Sequence, residues 1–232
     1  MLTALAALAA PFAAYAVLAL RRRPFGEPPE TCVQIFAYNE EGRVGRCIES
    51  VLSQEVLVRY PYRFKVEVWD GGSTDNTVGV ARSYGVAVHV LPRGKLLARN
   101  TAVLECDADV VVHLDADTVL PPWWLGNVLS RFEDPRVVAV TTPRLYEVPL
   151  VSLAVIPLRG FANLEGKVYG SNSAFRRWAL ARCLFDLDMD GRPGMVHEEE
   201  EQLFRCLSSL GEVAYEHVPA VTRPWTGKYV IA

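Results

Sequence analysis

Asp115-Ala116-Asp117 stands directly after an apolar run, DVVVHL (Asp109 to Leu114), that has the composition of a buried β-strand. In an extended chain, side chains two residues apart project to the same side. Two carboxylates so placed can hold a hard divalent cation through oxygen. The same tripeptide occurs at the other end of the run as Asp107-Ala108-Asp109, so position rather than composition must separate a metal site from a solvated turn. Two more apolar runs end on acids: TCVQIFAY is followed by Asn39, Glu40 and Glu41, and FKVEVW by Asp70. Carboxylates gathered at one edge repel each other unless a cation or a hydrogen-bonding ligand compensates them. A further acidic group, Glu198 to Glu201, follows His197 and opens the segment QLFRCLSSLG.

The elements that must position these residues alternate in type. Val44, Cys47, Ile48, Val51 and Leu52 recur at helical spacing after the first strand, and Phe64, Val66 and Val68 share one face of the second. GGSTDNT then supplies Ser73, Thr74 and Asp75 as helix-cap residues. VAVHVL (Val86 to Leu91) is a third strand, LLARNTAVLE a third helix and DVVVHL a fourth strand, and a helix around Trp124 to Phe132 precedes the strand VVAVT. Repeated β-α units with apolar strands predict an α/β fold with a mainly parallel sheet covered on both faces. Ligands of such sheets bind in the crevice beyond the carboxyl ends of the strands. That rule assigns Asp115 and Asp117 to the crevice and leaves Asp107 and Asp109 at the opposite end as turn chemistry.

Helix phase separates the four glutamates. At about 100° per residue, Leu203, Phe204, Leu207 and Leu210 define a buried stripe. Glu200 falls near its centre, Glu199 on its rim, and Glu198 and Glu201 point away. An inward carboxylate is costly without a task or a partner. The competing reading is an acidic first turn that complements the helix dipole.

FAYNEEGRVGRCIESVLSQ, VEVWDGGSTDNT, RGKLLARNTAV and VVHLDADT, in this order and spacing, resemble family-2 glycosyltransferases with the GT-A fold, over about Thr31 to Val218. The resemblance implies a Rossmann-like, mainly parallel sheet flanked by helices, and an inverting transferase that uses a nucleoside-diphosphate sugar, usually a UDP- or GDP-sugar. It implies that Ala37, Tyr38 and Glu40 line the nucleoside pocket, that Asp70 hydrogen-bonds the base, and that Lys95 lies near the base or diphosphate. Asp115 and Asp117, with Ala116 between them, would hold Mn2+ or Mg2+ on the diphosphate. The family's acidic pair at the start of the late helix aligns with Glu199 and Glu200. Its second member is the usual catalytic base, so the resemblance and the helix phase both select Glu200.

EGKVYGSNSAFRRWA resembles the segment that leads to the acceptor site, which makes Gly170, Ser171 and Asn172 candidates to frame the transferred sugar. Trp124, with Trp123, would stack on a sugar or else pack the next helix. Arg176 and Arg177 would meet phosphate or stay solvated, and His89, His113 and His217 read as structural. Processive synthases carry Gln-x-x-Arg-Trp after this point, whereas here Arg223 is followed by Pro224. Single transfer to a lipid-linked or membrane-proximal glycan is therefore expected. A polyprenyl-phosphate sugar transferase, whose acceptor is already an anion, and an inactive nucleotide-sugar-binding module are the alternatives.

Half of the 232 residues are hydrophobic and 22% are charged, which excludes a disordered chain. Leu2 to Leu20 carries no charge, and Arg21, Arg22 and Arg23 follow it. About 20 helical residues cover a hydrocarbon core of roughly 30 Å. A cleaved signal would place its positive charge before the apolar run. Residues 1–23 are thus expected to anchor the chain in the cell membrane as a single pass, with 24–30 as a linker and 31–232 as the catalytic domain. The arginines put that domain on the cytoplasmic side. An interfacial or partner-packed helix is the alternative, since Pro11 interrupts the run. The five cysteines are odd in number, widely spaced and without a C-x-x-C pair, and are expected to be free thiols in a reducing compartment. A net charge of −3 gives no invitation to nucleic acid.

Overall fold

A computed structural model of the chain describes residues 17, 20–146, 168–189 and 196–222. Its main sheet has seven strands in the order β3-β2-β1-β4-β8-β6-β9. These are β1 (Thr31–Ala37), β2 (Phe64–Asp70), β3 (Ala87–Val90), β4 (Val110–Asp115), β6 (Val137–Thr141), β8 (Ser173–Arg176) and β9 (Glu212–Tyr215). β8 runs antiparallel to both neighbours and every other pairing is parallel. A small sheet joins β5 (Thr118–Val119), β10 (Ala220–Thr222) and β7 (Arg144–Tyr146). The helices are α1 (Val44–Leu52), α2 (Glu55–Arg59), α3 (Thr77–Ser83), α4 (Lys95–Glu105), α5 (Trp124–Ser130), α6 (Arg177–Leu180) and α7 (Val196–Leu210).

β1 is buried at every position because helices cover both faces of the sheet. The pleat divides the side chains between two cores. Val33, Ile35, Val110, Val112 and Leu114 pack with Val44, Ile48 and Val51 of α1 and with Trp124 and Val128 of α5. Cys32 and Val111 point the other way, toward Leu96 and Val103 of α4, Phe175 of β8, and Leu203 and Leu207 of α7.

β2 and β4 flank β1, so the direction of winding reverses there and the carboxyl ends of β1 and β4 border the crevice. Antiparallel β8 begins at that same edge, where the backbone N–H of Asn172 donates to the carbonyl of His113 at 2.7 Å. The small sheet ties the chain just after Asp117 to the strand that carries Arg144.

Among the described residues no helix is long and apolar enough to cross a membrane. The expected membrane helix, residues 1–23, falls outside the described residues apart from Val17, Leu20 and the three arginines. The segment that follows is docked rather than a free linker. Arg22 pairs with Glu55 at 3.0 Å and Arg23 with the buried Glu216 at 2.8 Å. The Asn127 side chain bonds both the N–H of Arg23 and the carbonyl of Arg21, and Arg63 pairs with Glu27 and Glu30.

The expectation of free thiols is corrected. Cys32 is bonded to Cys106 and Cys183 to Cys206, with Cα separations of 6.5 and 5.7 Å, and the buried Cys47 is free. The partners are 74 and 23 residues apart in sequence, so no short-range pattern announces them. They meet because α4 lies across β1 and α7 packs beside α6.

Loops of these lengths correspond, in that order, to about 4 and 3 kcal/mol of unfolded-state restriction. Full reduction under non-denaturing conditions should lower Tm by on the order of 15–30 °C. An unchanged Tm in a sample whose intact mass shows all thiols reduced would refute the stabilising role.

Candidate active site

The loops that follow β1 and β2 clasp each other. Asn39 sits in the left-handed region, φ 54°, which asparagine tolerates. Its N–H donates to Ser73 Oγ at 2.8 Å and its Oδ1 accepts from the N–H of Thr74 at 2.8 Å. The N–H of Glu40 donates to Thr77 Oγ1 at 2.7 Å, and Glu41 Oε2 accepts from the N–H of Asn76 at 2.8 Å. Asp70 is wholly buried. Its Oδ2 accepts from the N–H groups of Gly72 and Ser73, and its Oδ1 accepts from Ser73 Oγ. Asp70 therefore shapes the turn that walls the crevice. Ala37 is buried beneath this turn, its carbonyl accepting from the N–H of Gly71 at 2.9 Å. Tyr38 is half-buried with the Arg93 guanidinium 5.1 Å from its ring centre, and Glu40 pairs with Arg43 at 2.7 Å.

At the end of β4 the two aspartates have opposite environments. Ser171 Oγ donates to Asp115 Oδ2 at 2.7 Å, Arg99 Nη2 lies 3.4 Å from Oδ1, and Arg144 Nη2 lies 3.6 Å from Oδ2. Burial alone would raise the pKa of Asp115, but Lys95, Arg144 and Arg99, with the Ser171 hydroxyl, outweigh it and hold the carboxyl well below its usual range. Asp117 is pushed up to about 6, first by burial and then by the neighbouring Asp115 and Glu40. Its Oδ1 is buried without a hydrogen-bond partner. An orphaned carboxylate oxygen beside a second carboxylate suits a divalent cation. Among the described residues no larger group of acids, histidines or cysteines gathers to hold a metal.

Lys95 is exposed at the start of α4, where the Arg99 guanidinium one turn on lowers its pKa and Asp115 opposes that effect. Arg144 touches the Ser171 hydroxyl and lies over the Tyr169 ring. Asn172 has φ 55° and accepts at Oδ1 from Thr118 Oγ1 at 3.2 Å, so residues 170–172 are fixed beside the aspartates. The first turn of α7 faces this group. Glu200 is buried, as the helix phase predicts, while Glu198 and Glu201 are exposed. Glu199 on the rim reaches Arg99 Nη1 at 3.6 Å.

Ala37, Tyr38, Glu40, Lys95, Asp115, Ala116, Asp117 and the segment Gly170–Asn172 all line or underlie one edge of the sheet. Trp124 does not join them. It is completely buried in the core, with its Nε1–H directed to Thr142 Oγ1 at 3.3 Å, so the packing alternative replaces the sugar-stacking one. Arg176 is structural too, donating to the carbonyls of Val137, Phe132 and Asp134. His113 lies between Phe36 and Phe175, and burial pushes its pKa down to about 3, so it stays neutral. His89 stacks on Trp69. Asp107 and Asp109 are exposed at the far edge, as expected of a turn. Sequence reasoning missed Arg99 and Arg144. Arg99 had a signal: with Leu96 and Val103 it occupies the buried stripe of α4.

A family model of glycosyl transferase family 2 matches residues 32–177. Glycosyltransferase AglE of Haloferax volcanii is 28% identical over 147 residues, 60% of this chain and 47% of that protein. Glucosyl-3-phosphoglycerate synthase of Petrotoga mobilis is 28% identical over 133 residues, 53% of this chain and 40% of that protein. The chain thus spans less than half the length of these curated relatives. The mannosyltransferase PcManGT of Pyrobaculum calidifontis, solved with GDP-Man and Mn2+, has a TM-score of 0.66 at 24% identity, covering 97% of this chain and 69% of that one. Glucosyl-3-phosphoglycerate synthase of Mycobacterium tuberculosis, solved with Mn2+ and UDP-Glc, gives 0.60 at 21% identity, covering 87% and 73%. These likenesses show a shared fold.

Because the folded pKa of Asp117, about 6, exceeds the ordinary 3.8, the folded state binds the extra proton between those values. This group's contribution to stability therefore falls as pH rises through that window. Asp117→Asn should raise Tm by a few degrees at pH 7.5 without metal and abolish the rise that Mn2+ gives the unaltered chain, a rise that should itself fade below about pH 6. An equal Mn2+ response in both chains, followed by thermal denaturation, would remove Asp117 from the metal site.

Proposed function

The chain belongs to glycosyl transferase family 2, and from that premise we propose that it is a metal-dependent inverting enzyme that moves one sugar from a UDP- or GDP-sugar to a hydroxyl of a lipid-linked or membrane-proximal glycan. The observation that carries this reading is the partnerless buried oxygen of Asp117 beside Asp115 at the winding reversal of the sheet. Asp115 and Asp117 would hold Mn2+ or Mg2+. When bound, such a cation offsets the negative charge that grows on the departing diphosphate.

The chain's own residues supply the rest. Ala37, Tyr38 and Glu40, held by the clasped loops, wall the nucleoside. Lys95 at the mouth attracts the diphosphate, and Gly170, Ser171 and Asn172 frame the sugar. Glu200 takes the proton from the acceptor hydroxyl as its oxygen attacks the anomeric carbon opposite the departing diphosphate. The convergence of Lys95, Arg99 and Arg144 on one place favours a second reading, a polyprenyl-phosphate acceptor, for which Glu200 would be dispensable.

The membrane part of the proposal rests on the uncharged run up to Leu20 and on the docking of the arginines after it. Arg23 pairs with Glu216, which directly follows β9 on the crevice side of the sheet. A run inserted in the cell membrane would leave from the edge where the site lies, with the domain in the cytoplasm by the charge rule.

Glu200→Gln should lower turnover by about 10²- to 10⁴-fold with donor affinity retained, measured as single-sugar transfer alongside calorimetric donor binding. Near-normal turnover would favour the phosphate acceptor instead. The full chain should sediment with membranes and a chain that begins at Arg21 should not; equal partitioning of the two would count against the anchor.

A further inference from the structure

We infer that Arg99 is a positioning residue that fixes the acidic start of α7 against the donor-side Asp115, and that Gly170 is a glycine because Arg99 fills the space a Cβ would need. This deepens the transferase reading, which it takes as its premise for which side is donor and which is acceptor.

Arg99 is 1% exposed, so its charge is removed from water and demands compensation. The guanidinium reaches in two directions, Nη2 to Asp115 Oδ1 at 3.4 Å and Nη1 to Glu199 Oε1 at 3.6 Å. Nε and Nη1 make no hydrogen bond. The group is held by charge and by two rings, with its centre 5.8 Å from the Phe36 ring and 5.4 Å from the Phe185 ring. Phe185 is itself fixed, because Asn100, the next residue of α4, bonds both its carbonyl and its N–H. A Cβ on Gly170 would stand 2.4 Å from Arg99 Nη1, so a larger residue there must push the guanidinium aside.

A rigid planar fork fixes the geometry of two carboxylates that approach from different elements, whereas a compact ammonium on a flexible stem does not. Arg99 therefore sets the separation between strand β4 and the first turn of α7. Glu199 is committed to this contact.

A thermal-denaturation cycle needs no substrate. Glu199→Gln should lower Tm in the unaltered chain and raise it in an Arg99→Met background, where the carboxylate has lost its cation. If Arg99→Met does not fold, the same reversal is read in a Gly170→Ala background. In transfer assays, Arg99→Lys and Gly170→Ala should each lower kcat by roughly 10- to 100-fold while donor KM stays within about threefold of normal. Additive Tm shifts, or kcat values within twofold of the unaltered chain for both Arg99→Lys and Gly170→Ala, would overturn the inference. The Tm cycle decides the Arg99 to Glu199 contact even where the donor and acceptor prove to be other than proposed.

Discussion

Like charges at one edge of a sheet must be separated or compensated, and the site is organised around that requirement. Asp115, Asp117, Glu40 and Glu199 converge where β1 and β4 end, and Arg43, Lys95, Arg99 and Arg144 come in among them. The compensation is uneven. Asp115 is surrounded by cations and held in its charged form, while Asp117, two residues on, is pushed up to about 6. Neighbouring acids with divergent ionisation are the usual mark of divided roles. Asp115 is held as an anion by its cations, whereas Asp117 keeps its proton to a higher pH.

The topology explains how residues so distant in sequence reach one place. β1 and β4 bring Glu40 and Asp115 together as parallel neighbours in the sheet. β8 enters in the opposite direction and so contributes its start, Ser171 and Asn172, to the edge where β4 contributes its end. The small sheet does the same for Arg144, whose strand pairs with β10 while β10 also pairs with β5, just past Asp117.

Much of this was legible from residues alone. The apolar strands, the crevice rule and the contrast between Asp107-Ala108-Asp109 and Asp115-Ala116-Asp117 depend on local pattern, and the structure places both tripeptides as expected. The inward phase of Glu200 was legible for the same reason, since a helix stripe is a one-dimensional signal. What escaped were relations between elements. Nothing near Cys32 in the chain points to Cys106. Trp124 lies seven residues beyond Asp117, yet the turn between them swings its ring into the core. The oxygens of Asp70 also close its own turn, a structural role that its residue type alone does not announce. Arg99 could have been found by the argument that found Glu200, because a charge on a buried stripe needs a partner wherever it occurs.

The disulfides take on a functional meaning when set against the two helices that carry the site charges. α4 bears Lys95 and Arg99 in its first turns, and Cys106, the residue that ends it, is bonded to Cys32 at the far edge of β1. α7 bears Glu199 and Glu200 in its first turns, and Cys206 farther along is bonded to Cys183 in the loop after α6. Each bond lies away from the crevice and fixes a helix against the core it packs on. A small shift of a helix moves a side chain at its tip, and electrostatic preorganisation requires donors and charges to be in place before the reaction begins. The covalent links therefore act on the same geometry as the Arg99 contact, from the opposite ends of the same helices, and the site's precision belongs to the core as much as to the crevice.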